Sequence, residues 1–260
     1  MNQENIKKFI NTVGVYSERV FAPYGLFQII WIALAIICCI FAFKLCYKKH
    51  LQRYYVSVGI FMLATLFYKL IVLCLKDGKF NLDLKNLPIS AFDIPVFTIL
   101  LSGIFIKGKF HVILSAFNAS FGFLLGAFAL LFPFTATTQF IGVSVQIKLN
   151  ALLTLTIATV NLKLHAKTFN VVDFLISASG FMLALVIVES VEIILSTFAN
   201  VDFLCFFSYY FTPDKAVFSH LLTAFPHALA SFILALLFAE LSAGIYYLAF
   251  KLSTKKRRYK

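Results

Sequence analysis

Apolar residues in this chain occur in seven long runs separated by short polar segments. A helix that crosses a bilayer needs about 20 mainly apolar residues, and each run approaches that length. We therefore predict an all-α, polytopic membrane bundle of seven transmembrane helices, forming one integral membrane domain over residues 1–260. The predicted spans lie near residues 24–47, 53–75, 87–106, 110–134, 141–163, 171–199 and 218–250.

Composition supports lipid as the solvent of this chain. Hydrophobic residues make up 61% of it, charged residues only 13%, and the mean hydropathy is +0.92. Soluble domains carry charge at about 25% of positions. The net charge of +12 would suggest nucleic acid in a soluble protein, but these basic residues lie between and after apolar runs. We interpret them as topology signals and as contacts to anionic headgroups, with no nucleic-acid partner.

The distribution of lysine and arginine predicts the orientation, because positively charged loops stay in the cytoplasm. Seven spans with the amino terminus outside place 14 cations and one acid, Asp173, on the cytoplasmic side, which includes the carboxyl tail. The polar start of the chain indicates that the first run is not a removable signal peptide. We expect a multi-pass protein of the plasma membrane. The 14 cations are Lys44, Lys48, Lys49, Arg53, Lys107, Lys109, Lys163, Lys167, Lys251, Lys255, Lys256, Arg257, Arg258 and Lys260.

Several polar side chains interrupt the runs and are predicted to share one depth in the outer half of the membrane. Ionisable groups there are costly, so they usually face the bundle interior, a cavity or each other. We predict that they converge on an outward-facing polar pocket. The set comprises Lys69, Ser90, Asp93, Lys148, Asn150, Glu189, Glu192 and His227, with His220 at the outer boundary.

Two readings of this set stay open with about equal weight. Ser90 with Asp93, and Glu189 with Glu192, are spaced so that each pair shares one helix face, as a ligand or catalytic pocket requires. Alternatively, Lys69 and Lys148 neutralise the carboxylates of this set and so hold helices together. Those carboxylates are Asp93, Glu189 and Glu192.

Two further features are predicted to serve packing. Glu240 lies in the inner half of the last span, where Asn118 or Asn161 could hydrogen-bond to it. Gly122 and Gly126 form a GxxxG spacing that allows close helix approach, and packing within the chain is favoured over dimerisation.

Several signatures of known chemistry are missing from the sequence. The five cysteines form no CxxC pair, and the chain contains no Walker A loop, HExxH or GxSxG motif. We predict no metal site and no cofactor.

A segment at the start of the third run resembles the YwaF-type integral membrane family, which typically has Leu-Pro-Leu-His-Leu-Cys there. It reads Leu87-Pro88-Ile89-Ser90-Ala91-Phe92-Asp93-Ile94-Pro95. The resemblance continues through the fourth run to Phe132-Pro133, through Ala199-Asn200-Val201-Asp202-Phe203-Leu204, and to Pro226 near the last span. The layout of seven spans matches over nearly the full chain.

The resemblance implies a lipid-facing pocket and possible acyl transfer, because eukaryotic relatives of the family are acyltransferases that remodel phospholipids. The family histidine falls on Ser90 and its cysteine on Phe92, and Asn150 lies near a histidine often found in the fifth helix. Phe92 cannot act as a thiolate. If the protein is an enzyme, Ser90 as nucleophile, His227 as base, and Asp93 or Glu189 as the orienting group form the arrangement that remains.

The sequence leaves three functions open. The first is a lipid-handling protein, either a divergent acyltransferase or a degenerate one that binds lipid without turnover. The second is a transporter of a small solute or ion, although neither paired repeats nor interrupted helices are evident. The third is a noncatalytic subunit of a membrane complex. Membrane lipids are the expected partners, and the sequence does not indicate an oligomeric state.

Overall fold

The computed structural model describes residues 3–18, 25–45, 51–81, 90–131, 139–165, 170–199 and 227–258. In these ranges every regular element is a helix, as predicted. A π-helical segment, Asn118–Gly122, joins α5 to α6, so that the two form one continuous element. The helices are α1 (Gln3–Val13), α2 (Leu26–Leu45), α3 (Leu51–Leu75), α4 (Ile94–Ile104), α5 (Lys109–Phe117), α6 (Phe123–Leu131), α7 (Ile141–His165), α8 (Val171–Ala199) and α9 (His227–Arg258).

Six helical segments in the described part of the chain are long and apolar enough to cross a membrane. They are α2, α3, the continuous α5–α6 element, α7, α8 and α9. Large apolar side chains cover their outer surfaces: Leu26 is 73% exposed and Leu183 is 61% exposed. Such surfaces are unfavourable in water and suit contact with acyl chains. The protein is therefore a multi-pass helical membrane protein.

The third predicted span, residues 87–106, contains a short helix. Where the structure describes this span, from residue 90 onward, the helix is limited to Ile94–Ile104, which at about 1.5 Å per residue covers roughly half of a hydrocarbon core about 30 Å thick. Residues 90–93 form a turn before it, and Pro95 occupies the start of the helix, where a missing N–H is tolerated. Gly108, with φ of 90°, then redirects the chain into α5.

The short helix packs antiparallel to α3. A Cβ added at Gly59 would lie 2.7 Å from Cα of Leu100, and one added at Gly103 would lie 2.7 Å from the amide N of Val56. Later residues of α4 therefore contact earlier residues of α3. By this register, α4 begins level with the middle of α3 and ends near its start.

Contacts along the bundle define its two ends. Ile10 of α1 packs with Val72 at the end of α3 and with Phe140 and Val143 at the start of α7. At the other end, the Lys163 ammonium of α7 donates to the carbonyl oxygen of Phe43 in α2.

The last helix runs from the α1 end of the bundle to the opposite end. Phe238 packs on Phe128 near the end of α6, with ring centroids 5.3 Å apart. Two turns later, Tyr246 stacks on Phe174 at the start of α8, at 5.7 Å. The end of α9 therefore lies opposite to α1.

Candidate functional site

The turn before α4 carries the pair that the sequence spacing predicted. Ser90 Oγ donates a hydrogen bond to Asp93 Oδ2 at 2.8 Å. Asp93 is 8% exposed and Ser90 is half-buried. Although Asp93 immediately precedes the helix, its carboxylate makes no capping hydrogen bond to the helix amides. The carboxylate is therefore directed to the serine hydroxyl, in the interior of the bundle.

Phe92, which the resemblance aligned with a cysteine, serves packing. Its ring stacks on Phe128 with centroids 6.0 Å apart, and it contacts two separate clusters of buried apolar residues. The side chain therefore forms an aromatic contact between the turn before α4 and helix α6, within the same turn as Ser90 and Asp93.

Lys148 is fully buried, and its ammonium binds main-chain oxygen atoms. Nζ donates to the carbonyl oxygens of Ala129 at 2.7 Å and Leu130 at 3.3 Å. The side-chain amide of Gln28 in α2 donates to the same Leu130 carbonyl. Because these carbonyls belong to the last turn of α6, the positive charge lies at the negative end of that helix, where it is stabilising.

The other predicted binding residues that the structure describes are distributed over three helices. Asn150 Oδ1 accepts a hydrogen bond of 2.9 Å from Thr65, which joins α7 to α3. Glu189 of α8 is 8% exposed. Lys69 is half-buried, and within the described ranges neither it nor Asp93 forms an ion pair. The predicted neutralisation of Asp93 by Lys69 is therefore not seen.

The remaining predicted site residues fall outside the described part of the chain. These are His220 and the side chains of Glu192 and His227. The segment Asn200–Leu204, which carries part of the family resemblance, also lies outside it.

A second polar cluster, which the sequence did not predict, lies in the half of the bundle opposite α1. Asn118 bridges α4 and the π-helical segment: its Oδ1 accepts from Thr98 at 2.6 Å, and its Nδ2 donates to Ser102 Oγ at 3.0 Å. His111 Nδ1 lies 3.1 Å from the Ser102 carbonyl oxygen, and Ser115 Oγ lies 3.4 Å from His111 Nε2. The position of Asn118 and Ser120 within an apolar run was the available signal.

The predicted contact of Glu240 with Asn118 or Asn161 is wrong. Glu240 is exposed, Asn118 is bound to α4, and Asn161 Oδ1 accepts a 2.8 Å hydrogen bond from Tyr55. The buried residues Ala235, Phe238 and Ser242 define the inward face of α9. Because successive residues of a helix are about 100° apart around its axis, Glu240 lies on the opposite face, away from the bundle.

Within the described ranges, no three His, Cys, Asp or Glu side chains lie close enough together to hold a metal ion. Comparisons with protein-family models, curated proteins and solved structures found no match to this chain. The structure thus identifies a multi-pass helical membrane protein with two buried polar centres, one at Ser90–Asp93 and one around Asn118.

Proposed function

We propose that this protein belongs to the YwaF type and binds membrane lipids at the Ser90–Asp93 turn. The observation that carries the proposal is the 2.8 Å hydrogen bond between these two side chains. It lies in the segment of residues 87–95 that resembles the family, at the start of a helix that begins level with the middle of α3. A hydroxyl and a carboxylate beside apolar side chains are the kind of polar partners that the ester group of a bound acyl lipid needs inside an apolar site.

Ser90 and Asp93 also have the geometry of a nucleophile and its base, which lie about 2.6–3.2 Å apart in such sites. In the catalytic form, Ser90 Oγ bonds to the ester carbonyl carbon of a phospholipid and its proton passes to Asp93. The ester C–O bond then breaks, and the lysophospholipid leaves with that proton. The hydroxyl oxygen of a second lysophospholipid then bonds to the acyl carbon and gives its proton to Asp93; the bond from the acyl carbon to Ser90 Oγ breaks, and Asp93 returns the proton to Ser90. The sequence assigned the base to His227, whereas the direct hydrogen bond lets Asp93 accept the proton.

Lipid mass spectrometry of cells that lack the gene, complemented with wild type or variants, tests this function. We expect wild type to change the acyl-chain profile and both Ser90→Ala and Asp93→Asn to leave it as in the cells that lack the gene. Ser120→Ala is the matched control, because its hydroxyl donates to the Ala116 carbonyl of its own helix; it should behave as wild type.

Lipid binding without turnover is measured separately on purified protein. If the cellular profiles do not differ, native mass spectrometry should still detect phospholipid retained by wild type and less of it retained by Asp93→Asn. A wild-type protein that retains no phospholipid and changes no profile contradicts the proposal.

The proposal includes seven crossings of the plasma membrane, with the amino terminus outside and the carboxyl tail in the cytoplasm. In this arrangement the third crossing lies between the end of α3 at Leu75 and the start of α5 at Lys109. Exposed cations at the bundle end opposite α1 support the orientation, since positive loops face the cytoplasm. Those described are Lys44, Arg53, Lys107, Lys109, Lys163 and Lys251.

Transport of a small solute or ion is a second candidate, favoured by two helix interruptions. Helix α4 spans only half the bundle, and the α5–α6 element contains a π-helical segment. Discontinuous helices line substrate sites in many transporters, and π-helical turns often mark functional sites.

A flux assay in proteoliposomes tests transport. We expect Asp93→Asn, Glu189→Gln and Glu192→Gln to reduce uptake, and Glu4→Gln, on the exposed surface of α1, to leave it unchanged. Uptake that is absent in wild type, or that none of the first three variants alters, removes this function.

A further inference from the structure

Glu240 faces outward, unlike the buried acidic residues Asp93 and Glu189. It lies at the midpoint of the membrane span Leu229–Lys251 and is exposed, whereas Asp93 and Glu189 are each 8% exposed. Within the described ranges it has no hydrogen-bond donor or cation as a partner. A carboxyl group in direct contact with acyl chains at this depth is costly, so residues of this kind almost always face protein.

The surface around Glu240 has the composition of a helix-packing face. Gly244 lies one turn further on, and a Cβ added there would meet nothing within 4 Å. Glycines elsewhere in the bundle behave differently: a Cβ at Gly126 would lie 3.1 Å from the Ala151 carbonyl oxygen, inside the same chain. Leu237, Leu241 and Leu248, exposed by 45%, 58% and 58%, flank the two residues. Small residues let helix backbones approach closely in membranes, and polar side chains hydrogen-bond across the contact.

We propose that a second copy of this chain covers this face, so that the protein is a symmetric dimer through α9 with Glu240 of each copy hydrogen-bonded to Glu240 of the other. Two copies inserted in the same orientation are related by a two-fold axis along the membrane normal, which places identical residues at the same depth. A protonated carboxyl group is both a donor and an acceptor. The two Glu240 side chains can therefore satisfy each other, and Gly244 allows the helices to cross one turn below them.

A second copy fits this face better than a partner that carries a basic residue. The exposed face of α9 between Leu229 and Phe250 contains one ionisable acid and no cation. A face with Glu240 and Gly244 is complementary to a second copy of itself. One protonated glutamic acid can hydrogen-bond to another, and two glycines at the crossing allow the closest approach of the helices. No other component is required to bury the carboxyl group.

The mass of the purified full-length protein in mild detergent provides the first test. We expect a species with twice the 29.3 kDa chain mass, and co-expressed copies with two different tags should purify together. Glu240→Gln keeps a hydrogen-bonding side chain and should stay dimeric. Glu240→Leu should weaken association by about tenfold, the range expected for one interhelical hydrogen bond in a membrane.

Gly244→Ile tests the close approach, and Gly180→Ile is its matched control. Gly180 also lies on an exposed helix surface with nothing within 4 Å of an added Cβ, but on α8. We expect Gly244→Ile to be monomeric and Gly180→Ile to be dimeric. Because both sites are open to lipid, neither change should impair folding.

Oxidative cross-linking in native membranes tests the same contact without detergent. Leu237→Cys should give a covalent dimer, and Leu183→Cys on α8 should match the wild-type background of native cysteines. A wild-type protein that is monomeric at all concentrations overturns the proposal. So does association that neither Glu240→Leu nor Gly244→Ile weakens, or a different polypeptide in place of the second copy.

Discussion

At the residue scale, Lys148 has a structural role that can be measured. Its ammonium holds the last turn of α6 to α7 through two main-chain carbonyls. Lys148→Ala removes both hydrogen bonds and leaves a cavity, which lowers the free energy of unfolding. It also removes the cost of burying the ammonium charge, but this gain offsets only part of the loss. We expect the free energy of unfolding in detergent to fall by about 2 kcal/mol or more.

Lys69→Ala is the control for this prediction, since Lys69 is half-buried and has no hydrogen-bond partner within the described ranges. Its effect should stay below about 1 kcal/mol. Equal effects of the two substitutions in denaturant or thermal unfolding would show that the carbonyl contacts of Lys148 contribute little.

Asn118 joins α4 to the π-helical segment through two side-chain hydrogen bonds. Asn118→Leu keeps the side-chain size but removes both bonds. The Thr98 and Ser102 hydroxyls retain main-chain acceptors, at 3.3 Å to the Pro95 oxygen and 2.7 Å to the Thr98 oxygen. We therefore expect a moderate loss of about 1–2 kcal/mol, compared with almost none for Ser120→Ala. An unchanged melting temperature for Asn118→Leu would contradict this role.

The residues also show which contacts a sequence can predict. The spacing of Ser90 and Asp93 predicted a shared helix face; the two side chains do form a hydrogen bond, but in a turn before α4 and not on a helix. The partners of Lys148 could not be predicted, because they are main-chain carbonyls whose availability depends on where α6 ends. The error at Glu240 has a related cause: in an apolar helix with polar residues on several sides, composition does not indicate which face packs inward.

At the element scale, the contact between α3 and α4 depends on glycine. Gly59→Ala would place a methyl group 2.7 Å from Cα of Leu100, and backbone atoms cannot move aside without separating the helices. We expect a loss of about 2–3 kcal/mol. Gly180→Ala meets open space and should be neutral or slightly stabilising, because alanine favours helix more than glycine. Thermal unfolding of both variants measures the difference, and similar melting temperatures would contradict the close packing.

Hydropathy predicted the positions of the long helices well but missed both interruptions. Helices α7 and α8 begin at residues 141 and 171, as predicted. The third run is mainly apolar, yet from residue 90 onward its helix is the 11-residue α4. Hydropathy counts apolar side chains and does not detect where a turn and Pro95 set the start of a helix. The π-helical segment was likewise missed, because hydropathy does not detect the change in main-chain hydrogen bonding that defines it.

At the scale of the whole molecule, the described contacts show in which direction the chain runs between α3 and α5. Helix α3 ends at the α1 end of the bundle, whereas α5 starts at the opposite end, directly after α4. The chain must therefore pass from one end to the other between α3 and α5, and α4 is the helix that the structure describes in this interval. Six crossings would place the two termini on one side of the membrane, and seven would place them on opposite sides. In the described part of the chain, α1 and the end of α9 lie at opposite ends of the bundle, as the proposed seven crossings require.

Membrane-impermeant labelling of single introduced cysteines distinguishes these topologies. Glu4, Phe80, Lys107 and Lys251 are all exposed, and the first two lie at the α1 end of the bundle. In intact cells we expect Glu4→Cys and Phe80→Cys to be labelled above the wild-type background, and Lys107→Cys and Lys251→Cys only after permeabilisation. Labelling of Phe80→Cys and Lys107→Cys from the same side would contradict a crossing by α4 and the residues before it. Because cations concentrate at the end with Lys107, labelling of that end from outside would contradict the orientation instead.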